Sequence, residues 1–378
     1  MRRELTRRGL IKGIGAAALA PALLPIAAGA QTEEKPWWLG NGMPQEGRDT
    51  PKIASAINLR DGLMDQEIRG VVEIGVYHVL SSGPALPWDS EKLKKSVDQL
   101  KAGGVSLGNL MINGFTNTLY GRSGRDDEIE KVRQSIEAAG KAGIPVVEYN
   151  FYAHRAMEGY FEETGRGGAG LTGADYDRMK GLQPLPDEGA HNLDEMWANI
   201  TYFLKAIIPI AERANVRMAL HPNDPPFPTS RASQQIMGTV AGWKHLIEIV
   251  DSPSNGITFD CGVTREMGEN PVEVCHYFGS RDRINHMHYR NPHVMKPYEK
   301  YVEGFIDEGD VNMLAVMREL VKQKYPRELY PEHPRGIDYD REHGPIGGYP
   351  GGGGYAGNLY DIAYAKAMLQ AALILERG

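Results

Sequence analysis

The chain has 378 residues, a formal net charge of −7, 24% charged residues and two cysteines. The acidic balance argues against nucleic-acid binding, because a nucleic-acid-binding protein presents a basic surface to the phosphates. Two cysteines are too few for a scaffold built on disulfides, so a chain of this length is expected to fold around a large apolar core.

The N-terminal segment has the composition of an export signal. Residues 6–12 contain two adjacent arginines, residues 14–28 are mostly apolar, and residues 28–30 are Ala-Gly-Ala. A basic start, an apolar run and a small-residue cleavage site are typical of a twin-arginine signal peptide. The apolar run is shorter than the roughly 20 residues of a membrane-spanning helix, and two prolines interrupt it.

We therefore expect residues 1–30 to engage the twin-arginine export machinery and to be cleaved, leaving no stable membrane anchor. The mature protein, residues 31–378, would then be periplasmic or otherwise exported. Because this route carries folded proteins, a cofactor inserted in the cytoplasm is compatible with it.

From about residue 50 onward, short apolar or β-branched runs alternate with helical periodicity, which predicts parallel β-α-β units. Eight runs are predicted to be strands: 52–58, 76–81, 105–112, 145–151, 216–221, 256–261, 284–290 and 328–333. Eight such units without a second cluster of strands favour an α/β fold with a single (β/α)8 TIM barrel, over an open doubly wound sheet.

The predicted helices have recognisable ends. Three aspartates lie where helices are predicted to begin: Asp65, Asp89 and Asp126. Three glycines lie where helices are predicted to end: Gly75, Gly103 and Gly143. Such aspartates cap helix N-termini, and glycines accept the left-handed conformation at C-termini. A last helix at 358–375 is expected to close the ring.

Two longer loops interrupt the alternation of strands and helices, at residues 152–191 and 336–354, and the second contains four consecutive glycines. Both follow a strand, so both lie on the face where barrel active sites are built. Such extended loops usually shape a site, and a disordered surface insertion is the alternative.

Side chains that bind metals lie at the ends of the last four predicted strands: His221, Cys261, His288 and Glu332. Strands of a closed barrel bring these ends close together. Two neutral imidazoles, a thiolate and a carboxylate carry a charge of −2, which suits a divalent ion such as Mn, Fe or Zn. Alternatively, Cys261 could pair with Cys275, which we otherwise expect to be a buried helix residue.

Groups suited to proton transfer or anion binding surround this set: Asn223, Asp224, Arg290, His333 and Tyr355. His286 and Arg290 share one strand face with His288, because side chains alternate along a strand. Asp260 and Asp310 are expected to support the site or to cap helices, with capping favoured for Asp310.

The segment 203–226 resembles the mannonate dehydratases nearly throughout, including its Ala-Leu-His-Pro-Asn-Asp-Pro-Pro end. Weaker similarities follow at 256–262, 284–290, 312–313, 331–333 and 354–355. The resemblance covers roughly residues 200–375 well and the first half of the chain only loosely.

This resemblance implies that His221, Cys261, His288 and Glu332 are ligands for Mn or Fe and that His333 and Tyr355 are the acid and base groups. The implied reaction converts D-mannonate, or a close analogue, to 2-keto-3-deoxy-D-gluconate, which makes the protein a hydro-lyase. A base removes the C2 proton, and an acid assists loss of the C3 hydroxyl.

The chain departs from the family pattern where substrate would bind. Tyr330 stands where the family has an arginine, and the loop after Asn150 does not resemble the family. We expect Arg290 or Arg335 to compensate. The assigned residues are His333, Tyr355 and Arg290 for catalysis, and Asn150, Asn223, Asp224, His286 and Arg335 for binding a sugar acid.

Two other functions remain open at this point. A metal-dependent sugar isomerase or epimerase would use the same barrel and the same groups for proton transfer. A periplasmic sugar-binding protein would keep the cleft without chemistry, although a full ligand set beside His333 argues against it. The sequence is also compatible with a homo-oligomer.

Overall fold

A computed structural model of the chain describes residues 42–59, 65–344 and 348–376. The predicted signal peptide at residues 1–30 lies outside these ranges. From Pro44 onward the chain forms one compact unit. In the described ranges, no helix combines the length and the apolar character that crossing a membrane requires.

Eight strands close into a parallel barrel. In chain order the strands of the protein are β1 (Lys52–Ala56), β2 (His78–Ser82), β3 (Ser106–Ile112), β4 (Val146–Tyr149), β5 (Tyr160–Thr164), β6 (Gly170–Asp175), β7 (Arg217–Leu220), β8 (Thr229–Ser230), β9 (Ser233–Gln234), β10 (Asn255–Asp260), β11 (Ile284–His288), β12 (Pro292–Lys296), β13 (Lys300–Glu303) and β14 (Glu328–Tyr330). The barrel order is β1-β14-β11-β10-β7-β4-β3-β2, and its neighbours pair in parallel. Each predicted strand corresponds to one barrel strand, so the predicted TIM barrel is confirmed.

Helices connect these strands and bury apolar faces. They are α1 (Asp65–Glu73), α2 (Ser90–Ala102), α3 (Thr116–Leu119), α4 (Arg125–Ala142), α5 (Leu193–Ala214), α6 (Val240–Ile249), α7 (Cys261–Glu266), α8 (Pro271–Gly279), α9 (Met313–Lys322), α10 (Asp338–His343) and α11 (Tyr355–Leu375). Helix α5 begins with a capping box, in which Asn192 and Glu195 each accept the other's backbone N–H. This exchange satisfies two donors at the helix start.

The predicted helix starts are correct only in part. Asp89 caps α2, because its carboxylate accepts two backbone N–H groups of the first turn. Asp126 lies inside the first turn of α4, whose N-cap is Gly124, and Asp65 is the first residue of α1. Acidic side chains at such positions still complement the positive end of a helix.

Two of the three glycines predicted to end helices adopt the left-handed conformation, and the third does not. Gly75 and Gly143 have φ values of 69° and 83°, as expected of C-terminal glycines. Gly103 has a φ of −85°, and the left-handed residue is Gly104, at 82°. The turn after α2 therefore closes one residue later than predicted.

The last helix begins at Tyr355, three residues before the predicted start. The side chain of Asp340 accepts the backbone N–H groups of Ala356 and Gly357. A carboxylate from α10 thus supplies the cap of α11, and local sequence does not reveal a cap from so far away.

An antiparallel sheet, here called the cap sheet, covers the carboxyl ends of the barrel strands. Its order is β12-β13-β6-β5. The hydroxyls of Tyr160 on β5 and Tyr301 on β13 both donate to Asp224, in the loop after β7. The expectation of no second cluster of strands was wrong, because β5 has two aromatic residues followed by two glutamates and β6 is rich in small residues, so neither shows apolar alternation.

The two long loops meet at this sheet. Gly170, at the start of β6, forms an isolated antiparallel bridge with Gly336 of the second loop. A side chain on Gly170 would collide with the backbone of Gly351. The glycines of the second loop therefore allow two backbones to pack closely beside the site.

One aromatic cluster packs α5 onto the barrel. Phe203 is fully buried, with its ring stacked 5.2 Å from that of Phe115 and tilted against those of Tyr149 and Phe151. Such rings contribute both buried apolar area and specific ring contacts.

We predict that Phe203→Ala lowers the free energy of unfolding by about 3–5 kcal/mol, because the barrel cannot fill the space of a deleted buried ring. The matched control is Lys205→Ala, an exposed position on the same helix, which should change it by less than about 0.5 kcal/mol. Chemical denaturation of the two variants and the parent measures both values. Equal losses in both variants would contradict the assigned packing of α5.

Candidate metal centre and active site

Four metal-binding side chains converge at the carboxyl end of the barrel. They are His221, Asp260, His288 and Glu332, and their ligand atoms all lie within 4.8 Å of one another. His288 Nδ1 lies 3.0 Å from His221 Nε2, 2.9 Å from Glu332 Oε1 and 4.0 Å from Asp260 Oδ2. Each residue ends or follows a different barrel strand, which explains why residues so distant in sequence meet here.

The chemistry of this cluster fits a divalent cation. His221 Nδ1 lies 2.7 Å from the Pro222 carbonyl, to which it donates, so Nε2 directs its lone pair into the cluster. Burial, together with the neighbouring His288, lowers the pKa of His221 to about 4, which favours the neutral imidazole that metals bind. Glu332 Oε1 is buried in the cluster, 2.9 Å from His288 Nδ1 and 3.5 Å from Arg290 Nε. Two imidazoles and two carboxylates also balance a charge of +2.

Glu148 holds the other side of His288. This carboxylate is buried on β4, and its Oε1 lies 3.5 Å from His288 Nε2. Asn109 and Thr258 donate to its two oxygens at 2.8 Å. Burial opposes a charge on His288, but Glu332 and Glu148 outweigh it and raise the pKa of the imidazole to about 9. A carboxylate behind a histidine is a common way of orienting a metal ligand.

The structure does not place Cys261 in this cluster, and Asp260 takes the place expected of it. Cys261 is the first residue of α7, and its buried thiol lies 3.3 Å from the Arg290 carbonyl. Successive side chains at a strand end point to opposite sides, so only one of the two neighbours can face the barrel axis. Burial also raises the pKa of the Cys261 thiol well above its usual range, which disfavours a thiolate. Cys275 is buried and free as well.

Arg290 lies among carboxylates next to the cluster. Its guanidinium contacts Asp260 at 2.9 Å, Glu266 at 2.6 Å and Asp224 at 3.4 Å, and it also donates to Glu303. The side chain is almost fully buried. These contacts favour a role for Arg290 in positioning other groups over its predicted action on substrate.

His333 lies at the edge of the same site. Its Nδ1 is 2.9 Å from Glu303, and its Nε2 is 3.8 Å from Glu332 and 3.9 Å from Asp224. Burial opposes a charge on His333, but Glu332 and Glu303 raise the pKa of the ring. Its φ is 53°, in the left-handed region, where a non-glycine residue costs on the order of 1–3 kcal/mol. Strain of this kind is often retained at functional positions.

The tyrosine beside His333 is Tyr349 and not the predicted Tyr355. Tyr355 is 53% exposed, at the start of α11. The ring of Tyr349 is 4.8 Å from that of His333, and its hydroxyl accepts a hydrogen bond from Arg155. Burial raises the pKa of Tyr349 to about 12, so the phenol keeps its proton. Tyr349, Glu332 and His333 line a common cavity of about 150 Å³.

The five predicted substrate-binding residues divide into two groups. Asn223 holds the backbone of Met237 through its Oδ1, and Arg335 donates to the carbonyls of His333 and Glu303, so both stabilise loops. Asn150, Asp224, His286 and also Asn223, through its Nδ2, keep polar atoms buried without a hydrogen-bond partner. Burial lowers the pKa of His286 to about 4.

Asp310 accepts the backbone N–H of Val294 and caps no described helix. The residue that caps α9 is Asn312.

Sequence reasoning missed several residues of the site: Glu148, Glu303, Tyr349 and Arg155. A carboxylate within the apolar strand β4 was a usable signal for Glu148, because burying a charge requires a partner. Glu303 lies on the cap sheet and Tyr349 in a glycine-rich loop, and neither sequence pattern predicts where those side chains point.

Known proteins resemble this chain in sequence and fold. A family profile described as D-mannonate dehydratase (UxuA) matches residues 163–375. The mannonate dehydratase of Streptococcus equi subsp. zooepidemicus is 30% identical over 285 residues, covering 68% of this chain and 78% of that protein. The crystal structure of mannonate dehydratase from Streptococcus suis serotype 2 has a TM-score of 0.76 at 25% identity, covering 86% of this chain and 96% of that one.

A xylose isomerase domain protein from Planctomyces limnophilus also matches, with a TM-score of 0.54 at 15% identity, over 85% of this chain and 97% of that one. At this identity the match shows a shared barrel fold alone.

We predict that Asp260→Asn weakens Mn²⁺ binding at least about tenfold, because an amide replaces a charged ligand while it can still cap α7. Cys261→Ser should bind Mn²⁺ like the parent, because the thiol lies outside the cluster. Metal titration and elemental analysis of both folded variants measure this difference. Loss of metal in Cys261→Ser with full binding in Asp260→Asn would reverse the assignment.

Proposed function

The chain belongs to the mannonate dehydratase family of hydro-lyases, and on that premise we propose that it dehydrates a sugar acid, D-mannonate or a close analogue, with a divalent metal. The observation that carries this proposal is the four-residue cluster of His221, Asp260, His288 and Glu332 directly beside His333. A metal-binding cluster next to a proton-transfer group is what removal of water from a polyol requires.

His221, Asp260, His288 and Glu332 would hold the metal. Imidazole and carboxylate donors suit Mn²⁺ or Fe²⁺, and Zn²⁺ is also compatible with them. When bound, the metal supplies electrostatic stabilisation of the negative charge that develops on the substrate oxygens. Glu148 orients His288 for this role from the barrel interior.

His333 and Tyr349 are the groups placed to move protons. Glu303 holds His333 through Nδ1, which leaves Nε2 facing the cavity. One of the two groups takes the C2 proton, and the other protonates the C3 hydroxyl as it leaves as water. The enol that remains becomes the 2-keto-3-deoxy acid. Each step thus balances without an external oxidant or reductant.

We also propose that the protein acts after export through the twin-arginine pathway. The paired arginines, apolar run and Ala-Gly-Ala site of residues 1–30 support this location. Fractionation of cells that make the full chain tests it. The mature protein is expected in the periplasm, and replacement of Arg7 and Arg8 by lysine should retain it in the cytoplasm.

We predict that the metal-loaded protein converts D-mannonate to 2-keto-3-deoxy-D-gluconate, that a chelator abolishes this activity, and that Mn²⁺ or Fe²⁺ restores it. Product analysis also separates the alternatives. An epimerised or isomerised sugar acid without loss of water would indicate an isomerase, and binding without any product would indicate a sugar-binding protein.

We predict that His333→Gln lowers kcat by at least about 100-fold, because it removes a proton-transfer group. Its metal content should stay at the parent level, since His333 is outside the metal cluster. His276→Gln is the matched control, because His276 is exposed on α8 and pairs with Glu319 away from the cavity. Retained turnover in His333→Gln would exclude His333 from the reaction.

A further inference from the structure

The loop between β4 and β5, residues 150–159, is here called the cap loop, and it contains a cation that forms no ion pair with any carboxylate of the described residues. Arg155 is partly buried, and its Nε is fully buried without a hydrogen-bond acceptor. Within the described ranges, the guanidinium has one polar contact, a hydrogen bond that it donates to the Tyr349 hydroxyl. No described carboxylate forms an ion pair with it, whereas Arg290 forms ion pairs with five.

Arg155 lies beside the groups proposed to move protons. Its Cζ is 5.1 Å from the centre of the Tyr349 ring, and that ring is 4.8 Å from the ring of His333. Tyr160 packs edge-on against Tyr349 at 5.6 Å. Continuous contacts therefore run from Glu332 in the metal cluster through His333 and Tyr349 to Arg155.

The other candidate arginines are held by protein groups. Arg290 is held by carboxylates, and Arg335 donates to backbone carbonyls. These contacts argue against the expectation that one of them binds the substrate carboxylate. A buried charge is stable only when it is paired, and a guanidinium matches a carboxylate in geometry.

We propose that Arg155 binds the carboxylate of the substrate, on the cap side of the cavity. This inference rests on the proposed function, because it takes the substrate to be a sugar acid. In such an acid the carboxylate is attached to C2. An anion-binding group next to His333 and Tyr349 thus places C2 and C3 where protons are exchanged.

Arg155 lies just before residues 163–375, which the family profile matches. On this proposal the loop after β4 contributes to the choice of acid, while the ends of the barrel strands supply the metal cluster.

The test compares full-length, metal-loaded Arg155→Gln and Arg155→Lys with the parent. Arg178→Gln is the matched control, since Arg178 is an exposed cap arginine that also lies over an aromatic ring, that of Phe161. Steady-state kinetics with D-mannonate and calorimetric binding of D-mannonate, D-gluconate and the neutral polyol D-mannitol are measured for each protein.

We expect Arg155→Gln to raise KM and Kd for the sugar acids about 10- to 100-fold, the effect of losing a hydrogen bond to a charged group. Arg155→Lys should recover part of this loss, and Arg178→Gln should match the parent. Binding of D-mannitol should be equal in parent and variants, whether it is measurable or too weak to detect.

Unchanged KM and Kd for the acids in Arg155→Gln would overturn the inference, as would equal weakening of acid and polyol binding. Failure of the proposed function alone would give a distinct result: the parent would bind the acids, Arg155→Gln would bind them more weakly, and neither protein would release water from them. A parent that binds none of the acids would overturn both.

Discussion

The site depends on one buried guanidinium that is shared by five carboxylates. They are Asp224 after β7, Asp260 at the end of β10, Glu266 in α7, Glu303 at the end of β13 of the cap sheet and Glu332 after β14, and Arg290 contacts all five. The cation therefore joins the barrel to its cap. Gly262 makes this possible, because a side chain there would lie 2.7 Å from Arg290 Cγ. Removing one partner from such a buried network leaves uncompensated charge, which is strongly destabilising.

The same network positions both the metal cluster and His333. Asp260 caps α7 through Oδ1 and contacts Arg290 through Oδ2, so the carboxylate is fixed before it meets a metal. Glu303 pairs with both Arg290 and His333. Burial opposes a charge on Glu303, but these two cations outweigh it and lower the pKa of this carboxyl to about 2. The metal cluster and His333 thus share one electrostatic support. Carboxylates outnumber guanidiniums around Arg290, and a divalent cation bound beside it would reduce that excess.

The barrel could be predicted from the sequence because short apolar or β-branched runs alternate with helical periodicity at a repeating spacing. The site could be predicted only in part. His221, His288 and Glu332 come together as expected, because the ends of barrel strands meet at one axis. The choice between Asp260 and Cys261 depends on which of two neighbours faces inward where β10 passes directly into α7, and residue types alone favoured the thiol. Tyr349 and Arg155 lie on loops whose path depends on the cap sheet, so no periodicity indicates their position.

The most direct test of this account is anomalous diffraction from crystals of the Mn²⁺-loaded protein, with data collected on both sides of the manganese absorption edge. The account predicts one manganese peak per chain, bounded by His221, Asp260, His288 and Glu332, with the sulfur of Cys261 outside the coordination sphere. A manganese peak bonded to Cys261, or full occupancy at a site away from these four residues, would contradict it.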